Sequence, residues 1–195
     1  EGVFSMDGDR APLVRLVAVA AAHDAWLMVD DAHGFGTLGG GRGSAWEFDP
    51  HPEIPLQMGT LSKAAGVYGA FLCASAPVIE LMKNRARSLV YTTGLPPAVI
   101  ASCIAAVDII ATDADRVARP LHNAKTFCDA VGLPEPGSPI VPLVIGAEQA
   151  TLEASAALED AGFLVTPIRP PTVPAGTSRL RFTFTAEHTQ AQVAA

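Results

Sequence analysis

Apolar and polar positions fall in blocks along this chain, with helix-length stretches separated by short apolar runs. Residues 11–23 (APLVRLVAVAAAH) are rich in Ala and Leu, and Pro12 suits a first helical turn. The run AWLMV at 25–29 then stops at two aspartates. An apolar run of this length beside a helix predicts a buried parallel strand. PLQMGTLS (55–62) and GAFLCAS (69–75) predict two more strands, and SLVYTT (88–93) a fourth. PVIELMKNRAR (77–87) has Pro at its start and cations at its end, which predicts a helix. A long helix is predicted from Pro96 to about Asp113. Between these elements GFGTLGGGRG (34–43) holds six glycines and reads as loop.

A second set of elements follows. Residues 116–131 predict a helix that ends before LPEPGSP (133–139). IVPLVIG (140–146) and FLVTPI (163–168) predict strands, with a helix over 148–162 closed by Gly162. After the Pro-rich stretch 169–178, RLRFTFT (179–185) alternates with period two, the mark of a half-buried strand. The expected architecture is α/β: a mostly parallel sheet in residues 1–112, then a smaller α+β unit in 113–195.

Composition narrows the function classes. The chain has 195 residues, and domains run to about 100–200 residues, so one domain, or one and part of another, is expected. Apolar residues make up 49% and mean hydropathy is +0.30, enough to build a core and contrary to the composition of disordered chains. A net charge of −7 argues against a broad nucleic-acid surface. The apolar stretch from Pro96 to Ala111 is too short and too polar for a bilayer span. Cys73, Cys103 and Cys128 lack the spacing of a zinc site or a disulfide framework, which favours a reducing, cytoplasmic setting. The chain opens on Glu1 close to strongly patterned sequence, so it is expected to be a piece of a longer protein.

Three clusters could carry chemistry. VDDAHG (29–34) places two carboxylates and an imidazole at the end of an apolar strand, where ligands of open α/β sheets bind. Asp30 and His33 there read either as a ligand-binding pair or as a cap and a solvated loop histidine. GTLSKAAGVYGA (59–70) puts Lys63 among small and hydroxylated residues. A lysine in such a mouth can serve as a Schiff-base amine, with Thr60 and Ser62 as phosphate donors. Alternatively it is a surface lysine in a Gly-rich turn. IRPPTVPAGTSRLR (168–181) holds Arg169 ahead of two prolines, a placement suited to carboxylate recognition. Arg179 and Arg181 are expected on the outward face of their strand, and Asp7 and Asp9 in a turn.

Taken together, EGVFSMDGDRAPL, VDDAHGFGTLGGGRG, GTLSKAAG, YTTGLPP and IRPPTVPAGTSRLRFT resemble, in order and over nearly the whole chain, the α-oxoamine synthases. These belong to the fold type I pyridoxal-phosphate (PLP) enzymes. Within the family the chain looks most similar to the biotin-pathway branch, ahead of 5-aminolevulinate synthases, 2-amino-3-ketobutyrate CoA ligases and serine palmitoyltransferases. The resemblance implies the fold type I architecture and pyridoxal 5′-phosphate as cofactor. It implies Lys63 as the Schiff-base lysine, Asp30 as partner of the pyridine nitrogen, His33 and Ser5 near the phenolic oxygen, and Thr60 on the phosphate. Arg169 would take the amino-acid carboxylate and Thr172 a nearby contact. Thr92 and Thr93 would reach a phosphate across a dimer interface. The implied reaction condenses L-alanine with pimeloyl-CoA or pimeloyl-acyl-carrier protein in a cytoplasmic homodimer. The family's chains are about twice this length, so the chain alone is expected to be inactive. An aminotransferase on the same fold, a non-catalytic binding module and a generic α/β domain are the competing readings.

Overall fold

The computed structural model describes residues 1–195. Contacts divide the chain into two compact units: Glu1–Val3 with Ala11–Val117, and Phe4–Arg10 with Ala118–Ala195. The sequence placed a change at 112/113. The division by contacts falls at Val117/Ala118, inside a helix, and the early segment Phe4–Arg10 joins the second unit.

In the first unit, helix α1 (Leu13–Ala22) leads into strand β1 (Met28–Asp30). Strands β2 (Leu56–Thr60) and β3 (Ala70–Cys73) complete a sheet of order β1-β2-β3. β1 and β2 are parallel, with Asp30 opposite Met58, whereas β2 and β3 are antiparallel, with Thr60 opposite Ala70. The sheet is therefore mixed, not mostly parallel. Residues 61–69 are too few for the crossover of a dozen or more residues that a parallel neighbour requires. Ala11, Leu13, Val29, Ala45 and Ile54 form the buried core, with Val17 and Leu27 packed against it.

Helices α2 (Ala76–Arg85) and α4 (Pro97–Thr112) each carry proline in the first turn, where its missing N–H costs no hydrogen bond. Between them lies a correction: the stretch expected as a fourth strand forms a single helical turn, α3 (Arg87–Val90). No strand pairs with it. Its amides turn inward instead, Val90 N to Ala86 O at 2.9 Å and Tyr91 N to Arg87 O at 3.1 Å, so β-branched and aromatic content is overridden. In α4 only Cys103 is buried, and Ile100, Ile104, Val107 and Ile109 are exposed. No single helix is long and apolar enough to cross a membrane.

In the second unit, helix α5 (Ala114–Val131) starts at Asp113, whose carboxylate accepts the Arg116 amide at 3.0 Å. Strands β4 (Ile140–Gly146), β5 (Thr166–Ile168) and β6 (Ser178–Thr183) form an antiparallel sheet of order β4-β6-β5. Helix α6 (Glu148–Asp160) lies between β4 and β5 in sequence, and α7 (Gln190–Ala194) opens with a Thr189–Gln192 capping box. Ala124, Cys128 and Val141 are buried with Phe127, Leu133, Phe182 and Phe184 around them.

Candidate active site

Two parallel strands end side by side in the first unit, one on Asp30 and the other on Thr60. Asp30 is half-buried, and its Oδ1 accepts the Ala32 amide at 2.9 Å, which turns the chain out of the strand. The turn then carries His33, half-buried, with Gly34 N and Phe35 N donating to Asp31 O at 3.1 and 2.9 Å.

Lys63 projects from the loop that follows β2. Leu61 N to Gly69 O at 2.9 Å, Val67 N to Leu61 O at 2.8 Å and Gly66 N to Lys63 O at 2.9 Å fold this loop onto itself. Gly66 and Gly69 take φ of 66° and 109°, a region that side chains resist. Thr60 Oγ1 donates to Gly69 O at 2.9 Å and lies 2.8 Å from Ser62 Oγ. The exposed Lys63 Nζ stands 3.0 Å from His33 Nε2. The strand ends and the two loops thus gather Asp30, His33, Thr60 and Lys63 in one unit. The contact favours a placed lysine over a stray surface one.

Asp31, next to Asp30, faces elsewhere. Its Oδ2 accepts the Ser44 amide and its Oδ1 the Ser44 hydroxyl, both at 2.7 Å. Burial, with the Asp30 charge beside it, pushes the Asp31 carboxyl above the usual carboxylate range, against the pull of the two Ser44 hydrogen bonds.

Ser5, Arg169 and Thr172 belong to the second unit. Arg169 is exposed just after β5, and its carbonyl accepts the Thr172 amide at 3.0 Å. Thr92 and Thr93 are exposed in the first unit.

Arg179 and Arg181 correct the expectation of an outward face. Arg179 is only 6% exposed. It donates to Thr177 O at 3.0 Å and to Thr177 Oγ1 at 3.3 Å, and its Nη1 pairs with the Asp7 carboxylate. Arg181 Nη1 donates to Ser5 O at 3.0 Å, and its buried Nε has no partner. The alternation rightly puts both arginines on one face of β6, but the segment Phe4–Arg10 covers that face. The SMDGD carboxylates opposite a basic pair were the one signal of this in the sequence.

By its likeness to solved structures, this α/β scaffold, with a lysine and an imidazole in contact beside its parallel strand ends, has the fold of a type I PLP-dependent transferase. The aminotransferase class I and II family model matches residues 1–195, and the chain belongs to that family. It is 62% identical over its full length to 8-amino-7-oxononanoate synthase of Methylocella silvestris, of which it covers 55%. Among solved structures, it superposes on 98% of its length with 8-amino-7-oxononanoate synthase of Francisella tularensis, at 28% identity and TM-score 0.82, covering 58% of that chain. A high-resolution structure of SPT with PLP matches with TM-score 0.93 at 34% identity, again over 98% of this chain and 50% of the other. The chain spans about half the length of the curated relatives it matches.

Proposed function

We propose that this chain carries the lysine-bearing part of a PLP-dependent C-acyltransferase, an 8-amino-7-oxononanoate synthase. Such an enzyme joins L-alanine Cα to the carbonyl carbon of a pimeloyl thioester, with departure of the thiol and of CO2. The observation that carries this reading is the 3.0 Å contact between Lys63 Nζ and His33 Nε2 beside the ends of β1 and β2. Support for the acyl group comes from the relatives so named at 62% and 61% identity.

The residues present suit PLP in kind: an amine for its aldehyde, a carboxylate for its ring nitrogen, an imidazole for its phenolic oxygen and a hydroxyl for its phosphate. Lys63, Asp30, His33 and Thr60 would hold those four positions, with Ser5 added by the resemblance. When bound, PLP supplies an electron sink for carbanion chemistry at the substrate Cα.

The chain's own groups then have defined tasks. Asp30 would pair with the ring nitrogen of PLP and hold a proton there. Lys63 Nζ, in its neutral form, takes the Cα proton of alanine and later returns one to the same carbon. His33 Nε2 shares a proton with Lys63 Nζ across their hydrogen bond, which holds the amine in one place during both transfers. Arg169 offers an exposed guanidinium to the alanine carboxylate, with Thr172 beside it.

A cytoplasmic homodimer fits this reading. Three free thiols suit a reducing compartment, and the exposed apolar side chains of α4 suit burial by further protein. The test is to incubate the full natural chain with PLP, reduce with borohydride and map the labelled peptide. A phosphopyridoxyl group on Lys63 is expected. A label elsewhere, or none, overturns the proposal in favour of a non-catalytic binding module.

A further inference from the structure

We propose that Asp31 is a positioning residue that sets the contact between His33 and Lys63. Its carboxylate is the knot of three chain segments of the first unit. From one side it accepts both the amide and the hydroxyl of Ser44, each at 2.7 Å. Ser44 is buried, so loss of the acceptor would leave two donors without a partner and without water.

On the other sides the carboxylate is enclosed by glycines. A Cβ added at Gly2, Gly34 or Gly43 would overlap the Asp31 carboxylate. Of the three, only Gly43 has positive φ, at 108°. At Gly2 and Gly34 the backbone conformation is open to any residue, so space beside Asp31 is what calls for glycine. The sequence thus gives up side chains at three separate places to make room for one carboxylate.

The backbone of Asp31 transmits this anchoring to the site. Its amide donates to Met58 O at 2.7 Å, which ties it to β2 two residues before Thr60. Its carbonyl receives Gly34 N and Phe35 N, which closes the turn on which His33 rides. Thr37 Oγ1 donates to His33 O at 3.0 Å and braces the far side of the same turn. The direction in which the His33 ring leaves the backbone therefore depends on a carboxylate whose own hydrogen bonds go to Ser44. Burying this charge is unfavourable, and an apolar residue would avoid that cost, but only the carboxylate can accept from Ser44 N and Oγ together.

The importance of this contact for catalysis rests on the function proposed above; the positioning itself does not. In the full natural chain, Asp31→Asn and Ser44→Ala are compared with Leu13→Ala, a core substitution in the same unit whose side chain makes no hydrogen bond to the turn. Ser44→Ala removes one hydroxyl and leaves the Ser44 amide bonded to Asp31, so it decides the matter if Asp31→Asn does not fold. The first readout, without PLP, is the ring ¹⁵N spectrum of His33 in histidine-labelled protein, with thermal unfolding followed in parallel. The second is the rate at which PLP is trapped on Lys63 by borohydride.

Both turn variants are expected to shift the His33 ring resonances, and Leu13→Ala to leave them unchanged despite its lower melting temperature. Trapping at Lys63 should slow about ten-fold in the turn variants, the scale of one lost hydrogen bond. Unchanged His33 resonances in the turn variants would overturn the proposal, as would an equal shift in Leu13→Ala. Failure of wild-type protein to trap PLP would remove the catalytic reading, while the ring spectrum would still decide the role of Asp31.

Discussion

Lys63 Nζ and His33 Nε2 lie 3.0 Å apart although thirty positions separate them in sequence. One residue leaves the turn after β1 and the other the loop after β2, so the parallel pairing of the two strands is what brings them into contact. His33→Ala removes the partner without disturbing the lysine loop, which closes through its own backbone bonds. Borohydride should still label Lys63 in that variant, while turnover by the full chain falls about 10²-fold or more, the usual share of a positioned proton-transfer group. Steady-state kinetics alongside peptide mapping checks this. Unchanged turnover would remove His33 from the reaction.

Arg179 and Asp7 form an ion pair in which the guanidinium is buried and the carboxylate is half exposed. Asp7→Ala leaves the cation with Thr177 as its remaining support. We expect a loss of about 1–3 kcal/mol, below the figure for a fully buried pair because water still reaches the Asp7 side. Denaturant unfolding measures it, and an unaltered midpoint would contradict the assignment.

Asn123 is fully buried in α5 and donates to Thr185 O at 3.0 Å and His188 O at 3.3 Å. It fastens the chain between β6 and α7. Asn123→Ala would leave the carbonyls of Thr185 and His188 short of a donor and should cost about 1 kcal/mol. Asn123→Asp should not restore stability, because a carboxylate presents no N–H to those carbonyls. Melting temperatures of the two variants test the point.

Stability should depend on pH through Asp31. Its carboxyl is raised in the folded chain, chiefly by burial, so the folded state holds this proton more tightly than the unfolded state does. The contribution is fully present below the ordinary carboxylate range and is lost as pH rises through the raised folded value. Asp31→Asn should therefore flatten the decline in stability expected of wild type as pH rises from the ordinary carboxylate range through the raised folded value. Urea midpoints across that range give the two slopes, and parallel slopes would count against a raised carboxyl.

Local signals in the sequence were strong where an element is decided by its own residues. The run ending at Asp30, the strand ending near Thr60 and the proline-started helices α2 and α4 all follow from short-range pattern. SLVYTT was misleading because strand propensity reports packing on a sheet, and no strand of this chain pairs with it. Arg179 and Arg181 were expected on the outward face of β6, and the sequence could not say that residues 4–10 cover it. Asp30, His33, Thr60 and Lys63 could be singled out as chemistry-bearing. The contact between two of them, and the part played by Asp31, depend on strand pairing and on glycines far apart in the chain.

The segment Phe4–Arg10 is severed in sequence from the rest of its unit by more than a hundred residues, yet Arg179 and Arg181 fasten onto it. A ribosome releases this segment long before β6 exists. The second unit therefore cannot close until its last strand has been made and has found a partner synthesised more than a hundred residues earlier. Loop closure over such a distance is slow, and until it occurs a buried arginine waits without its carboxylate. Nor can residues 118–195 be lifted out as a module: a clone of them would lack seven residues that complete the unit.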